Sequence, residues 1–189
     1  MTTIETIKAR RTVRKFTQEK LPQELLIKCV DAARLAPTAA NLQPIKYKII
    51  NDEKSVAQVF KHVKWAGYIA PEGNPKPGEE PTAYIAVLAD LEIKKSGYEV
   101  DYGSQVSTML LAAEELNIGA CWIQSVDCVE VSSLLSLPEN LKLLAVVAMG
   151  AKAEQPVYFD KTGDSIKYYK DENGVLNVPK RTLEEILID

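Results

Sequence analysis

The sequence predicts a domain of the α+β or α/β class built on a central sheet, and three observations carry that prediction. Two apolar runs of strand length, Tyr84–Ala89 and Leu143–Met149, are too continuous for half-exposed strands and fit fully buried central ones. Stretches with the helical spacing of apolar residues stand between the strand candidates. The chain has 189 residues, 46% of them hydrophobic and 26% charged, which is the length of one domain (residues 1–189) with enough apolar surface for a substantial core.

Each element has its own local signal. Thr2-x-x-Glu5 has capping-box spacing, so Ile4 and Ile7 open a short helix that delivers Arg10 and Arg11 at its end. Residues 12–20 are polar without a period and read as a loop. Pro22 suits the first helical position, and Leu25, Leu26, Cys29, Ala33 and Ala36 keep helical spacing until Pro37 stops the second helix. Tyr47 and Ile49 alternate with polar neighbours as a strand, and 52–63 reads as an amphipathic helix. Residues 70–81 hold four of the ten prolines with Gly73 and Gly78, an extended loop within one core.

Tyr84–Ala89 follows as a strand ended by Asp90. The strongest helix runs from about Val100 to Leu116, with Val106, Met109, Leu110 and Ala113 as its buried stripe; small Gly103, Ser104 and Ser107 allow close packing near its start. Asn117 and Gly119 end it, and 120–124 forms a short strand. Asp127-x-x-Glu130 caps a helix through Leu135, and Leu143–Met149 is the last strand, closed by Gly150. Beyond it the chain becomes polar and extended. The order is helix-helix-strand-helix-strand-helix-strand-helix-strand-tail.

Composition excludes several functions. The formal charge of −3 argues against general nucleic-acid binding, which favours a basic domain. The apolar runs are too short to span a bilayer, and the N-terminus shows no signal-peptide pattern. Cys29, Cys121 and Cys128 have no CxxC spacing and read as reduced thiols of a cytoplasmic protein. With His62 as the single histidine, neither a familiar zinc site nor a histidine-based nucleophilic apparatus assembles, and His62 reads as a surface helix residue. The nine glycines contain no GxG pair, so both glycine-rich phosphate motifs are absent. A nucleotide held by this chain must be held by arginines and helix ends.

Two stretches have chemistry to offer. From Lys8 to Lys15 five of eight residues are cationic and none is anionic, on an acidic chain. This knot reads either as solvated charge beside a helix or as an anion site built from arginine forks. The loop from Pro37 to Pro44 consists of small residues with Asn41 and Gln43. It is either a plain connector or a surface that a flat ligand approaches closely. A second basic pair, Lys180-Arg181, stands far away in sequence.

Four segments in order resemble the FMN-dependent nitroreductase family. Arg10-Arg11-Thr12-Val13-Arg14-Lys15-Phe16 is similar to the family's opening motif, with Thr12 in place of the usual serine. Ala36 to Pro44 resembles the small-residue motif ending Asn-x-Gln-Pro, Asn117 to Ile123 the third motif, and Asp171–Gly174 with Val178–Arg181 the usual ending. The resemblance implies a three-layer fold with a mostly antiparallel sheet flanked by helices, and a homodimer with flavin sites in the subunit interface.

It further implies that Arg10 and Thr12, with Lys180 and Arg181, hold the FMN phosphate, and that Arg11 is a further cofactor contact. Arg14 would reach the ribityl chain or the pyrimidine edge of the ring, and negative charge near N1 would fall to Arg14 or to a nearby lysine, Lys64. Pro37, Thr38, Ala39, Asn41 and Gln43 would line the flavin of the other subunit, and Ile123, Gln124 and Ser125 would lie beside N5. Many members place a glycine where this chain has Gln124-Ser125. No catalytic side chain is implied, since the flavin takes hydride from NAD(P)H and passes it to a nitroaromatic or quinone-like acceptor by a ping-pong cycle. The alternatives are a dehalogenase or dehydrogenase on the same scaffold, or a non-enzymatic nucleotide-binding module.

Overall fold

The computed structural model describes residues 1–188. A helix α1 (Thr3–Ala9) is followed by α2 (Gln23–Arg34), β1 (Ile45–Ile50), α3 (Glu53–Phe60), β2 (Ala83–Asp90), α4 (Glu99–Glu115), β3 (Ile118–Ile123), α5 (Cys128–Leu134) and β4 (Leu141–Ala151). This is the order the sequence predicts. Capping explains the helix starts: Thr2 and Glu5 form the full box on α1, and Asp52 and Asp127 accept the Ser55 and Glu130 amides at α3 and α5.

β1, β2, β4 and β3 form one sheet in that spatial order, every pair antiparallel. Helices cover both faces, which is why β2 is buried at seven of its eight positions and its sequence does not alternate. One core packs Leu26, Cys29 and Ala33 of α2 and Val106, Met109 and Ala113 of α4 against Ile85, Val87, Ala145 and Val147. The other packs Val56 and Val59 of α3 and Val131 of α5 against Tyr84, Ala86, Val146 and Ala148. A register shift sets Leu143 opposite Leu88 while Ala145 faces Val87. It lets Leu143 and Val146, three apart, reach the same face.

The chain beyond β4, expected as an extended tail, forms a second sheet. β5 (Val157–Asp160) pairs in parallel with β7 (Leu176–Lys180), which pairs antiparallel with β6 (Tyr169–Lys170), and α6 (Leu183–Ile186) follows. Thr182 and Glu185 cap α6 by the same box that starts α1.

Gly119 and Gly150 lie inside strands rather than at their ends, and they face one another across the β3–β4 pair. The second half of the basic knot and the residues that follow it cross the sheet there, with Val13 N donating to Ala120 O at 3.0 Å and Thr17 N to Ala151 O at 2.9 Å. A Cβ on Gly150 would lie 2.8–3.0 Å from the Phe16 side chain, and one on Gly119 would lie 2.9 Å from Val13 Cγ1. The two glycines open the notch that seats Val13 and Phe16, and so fix Arg14 between them. Because Phe16 is fully buried, Gly150→Ala is expected to cost about 1–3 kcal/mol, seen as a lower urea midpoint at unchanged m. An unchanged midpoint would show that the ring yields freely.

Candidate flavin and anion site

α1 ends at Arg10, whose amide donates to Thr6 O at 2.8 Å. Arg11 turns back over that terminus: its Nη2 donates to Lys8 O at 2.7 Å and its guanidinium lies 4.4 Å from the Tyr158 ring centre. Arg11 thus completes the carboxyl end of α1. Burial lowers its pKa, and the neighbouring charge of Arg10 adds to the effect. Lys180, at the end of β7, is lowered by burial and then by repulsion from Arg11 and Arg10. Opposite ends of the sequence therefore bring three cations within electrostatic reach of one another. Among the described residues neither Arg10 nor Lys180 has a carboxylate within ion-pair distance. Arg181 is turned to Glu185, 4.0 Å away, and Thr12 is half-buried beside Arg11.

Arg14 stands apart from that group. Its amide donates to Glu154 Oε1 at 2.6 Å and its guanidinium lies 5.1 Å from the Tyr168 ring centre. It lines a cavity of about 330 Å³ with Lys64, Trp65, Ile123, Gln124 and Ser125, so the first and third sequence motifs meet at one place. Cys121, also lining it, is a thiol that burial pushes up to about 11, which keeps it protonated at neutral pH. Trp65 is buried and its Nε1 has no acceptor in the protein. A buried donor without a partner, in a cavity lined by two cations and by no carboxylate, suits a planar ligand with carbonyl oxygens.

The loop from Pro37 to Gln43 does not line this cavity. Pro37, Ala39, Asn41 and Gln43 are exposed, and Ala40, Asn41 and Gln43 all adopt positive φ, at 50°, 55° and 53°. The conformation is tied down from below. Ala39 N donates to Asp101 Oδ1 at 2.8 Å, and Gln43 N to Thr38 Oγ1 at 3.2 Å.

Asp101 is a residue the sequence reading missed. It is 2% exposed, in the first turn of α4, and Lys94 Nζ lies 2.7 Å from its other oxygen. The next residue, Tyr102, accepts from Trp122 Nε1 and from Gln124 Nε2, the latter at 3.4 Å. Adjacent residues of one helix thus hold the 37–43 loop and Gln124. A signal was present: Asp101 and Gln105 continue the buried stripe of α4 at four-residue spacing, and a polar residue on a buried face needs a partner. His62 lies just past α3, half-buried, and among the described residues no three histidine, cysteine or acidic side chains could share a metal ion.

The Nitroreductase family matches residues 7–151. A protein of Methanothermobacter thermautotrophicus named "Putative NADH dehydrogenase/NAD(P)H nitroreductase" is 30% identical over 164 residues, covering 82% of this chain and 80% of the relative. An iodotyrosine deiodinase of Thermotoga neapolitana is 28% identical over 159 residues, covering 76% and 84%. In fold, the chain is similar to a Desulfovibrio desulfuricans protein solved as a "putative nitroreductase in complex with fmn", with a TM-score of 0.72, 24% identity and coverage of 100% and 96%. The family match spans both cores, the basic knot and the Arg14 cavity, and this chain belongs to the Nitroreductase family.

Proposed function

We propose that the chain is a single FMN-binding domain that acts, as a homodimer, as an FMN-dependent NAD(P)H oxidoreductase on an organic acceptor. The observation that carries this reading is the convergence of Arg10 and Lys180 beside Arg11, with no carboxylate within ion-pair distance of Arg10 or Lys180 among the described residues, a charge arrangement that a phosphate would offset. Bound there, FMN would supply the two-electron chemistry, taking hydride from NAD(P)H at N5 and giving it to the acceptor in a ping-pong cycle.

The chain's own residues position and tune. Arg10 and Lys180, with the Thr12 hydroxyl and the solvent-facing side of Arg181, hold the phosphate. Arg14 and Lys64 place positive charge where the reduced ring gains negative charge, and Trp65 Nε1 donates to a ring carbonyl. The Ile123–Ser125 segment lies along the ring edge, with Gln124 braced by Tyr102. The exposed 37–43 loop serves the partner's flavin, which accounts for its distance from its own chain's cavity. Purified protein is expected to be yellow, to release FMN on denaturation, to bleach with NADH or NADPH, and to run as two subunits. A colourless protein that takes up no FMN sinks this reading.

The deiodinase relative favours a second chemistry on the same scaffold, reductive dehalogenation. Turnover of a halogenated phenol with release of halide, and none of nitroaromatics or quinones, would select it.

A further inference from the structure

A second cavity, of about 490 Å³, adjoins the Arg14 cavity and shares Lys64 and Ser125 with it. Each has the size of a small-molecule site, about 300–1,000 Å³. Its floor is a short antiparallel contact: Val63 bridges Val126, Lys64 N donates to Ser125 O at 2.9 Å, and Asp127 N donates to His62 O at 2.9 Å. The charged groups along its walls are Lys61, Lys64 and Asp127. Asp127 is already engaged, its Oδ1 accepting the Glu130 amide at 3.2 Å. Lys61 and Lys64 are exposed, and among the described residues neither has a carboxylate within ion-pair distance.

Resting on the FMN reading above, we propose that this cavity is an anion-recognising extension of the flavin site, and that the acceptor reduced there is a planar molecule bearing a carboxylate. Lys64 is shared with the negative charge of the reduced ring, so Lys61 is the cation left to pair with a single carboxylate, too little charge for the two of a dinucleotide pyrophosphate. An ammonium on a flexible stem suits a single carboxylate at variable distance, where a guanidinium fork would demand a fixed plane. Lys64, shared by both cavities, sits between the ring and the anion. Of these two cavities Lys61 lines only the outer one, where its role is recognition; on its other side it borders a separate groove that also holds Glu53 and Glu80, neither within ion-pair distance of it. Because both lysines are exposed, the attraction is screened by salt.

The test compares 4-nitrobenzoate with its neutral isostere 4-nitrobenzamide on flavin-loaded protein, with NADH as reductant. At low salt, kcat/KM is expected to favour the benzoate about three- to fivefold, and the preference should shrink at high salt. Lys61→Gln should remove most of that preference through KM, leaving kcat and the benzamide unchanged, and Lys61→Arg should restore part of it. Equal kcat/KM for the two acceptors in the unaltered protein overturns the proposal. So does a Lys61→Gln variant whose loss appears instead in the rate of flavin bleaching by NADH, which would give the cavity to the dinucleotide. Protein without flavin absorbance defeats the FMN reading itself and is seen before any acceptor is added.

Discussion

Replacing Arg10 and Lys180 together with alanine is expected to weaken FMN binding by about 10²- to 10⁴-fold, since each charge-assisted contact contributes about 1.5–3 kcal/mol. The expected direction for the apo protein is different. Lys180 is lowered by burial and by the charges of Arg11 and Arg10, so in the absence of a phosphate the three cations repel one another. Removing two of them should leave apo stability unchanged or slightly raised while affinity collapses.

That split separates a binding role from a structural one. Arg11→Ala should do the reverse. It strips the Nη2 donor from Lys8 O and the stacking on Tyr158, and lowers stability more than affinity. Arg181, 53% exposed and 4.0 Å from Glu185, should matter least. Flavin fluorescence titration and urea unfolding of the same variants give both quantities. A double variant whose Kd for FMN stays within a few-fold of the original would remove the phosphate from this cluster.

The elements legible in the sequence are those whose cause is local. Thr2 with Glu5, and Asp127 ahead of Glu130, announce helix starts because the capping partner lies three residues away. Buried runs announce β2 and β4 because helices on both faces remove any reason to alternate. Gly119 and Gly150 were misread as terminators for the opposite reason. What requires them is the approach of Val13 and Phe16, more than a hundred residues away, and no neighbour in sequence records it. The small sheet after β4 has the same character. Its strands are two to five residues long, and Pro179 within β7 reads as a breaker.

The site divides along the same line. That the basic knot is cationic is local information; which of its members is free to hold an anion is not. Arg10 and Arg11 are adjacent and chemically identical, yet one is spent on a helix end and a tyrosine face while the other has no acidic partner among the described residues. Gln124 could be placed beside Arg14 only through the β3 register, and its brace, Tyr102, only through the packing of α4.

Asp101→Ala is expected to cost about 3–5 kcal/mol of stability, the usual consequence of breaking a buried ion pair by removing one partner. Lys94 would keep its charge with its side chain only 16% exposed, and Ala39 N–H would lose its acceptor. Asp101→Asn isolates the charge, because an amide oxygen can still accept from Ala39 while the pairing with Lys94 is lost. The sign of the pH dependence follows from the carboxyl's own pKa. Burial pushes it up, but the hydrogen bonds from Lys94 and Ala39 outweigh burial and hold it below the ordinary value. A carboxyl with a depressed folded pKa contributes stability that is present above its unfolded pKa, about 3.9, and lost as pH falls through the folded one. Unfolding free energy should therefore fall below about pH 4 in the native protein and fall less steeply there in Asp101→Asn.

The loop this carboxylate holds is not relaxed: Ala40, Asn41 and Gln43 keep positive φ within four residues, each at a cost of roughly 1–2 kcal/mol. Without Asp101 the loop is expected to leave that conformation, so the variant should lose FMN affinity as well as stability even though the residue lies outside the Arg14 cavity. Urea midpoints across pH 2–7, with FMN titrations at pH 7, test both halves. A midpoint indifferent to Asp101→Ala would mean that Lys94 finds another partner and that the strained loop is held by Thr38 and Gln43 alone.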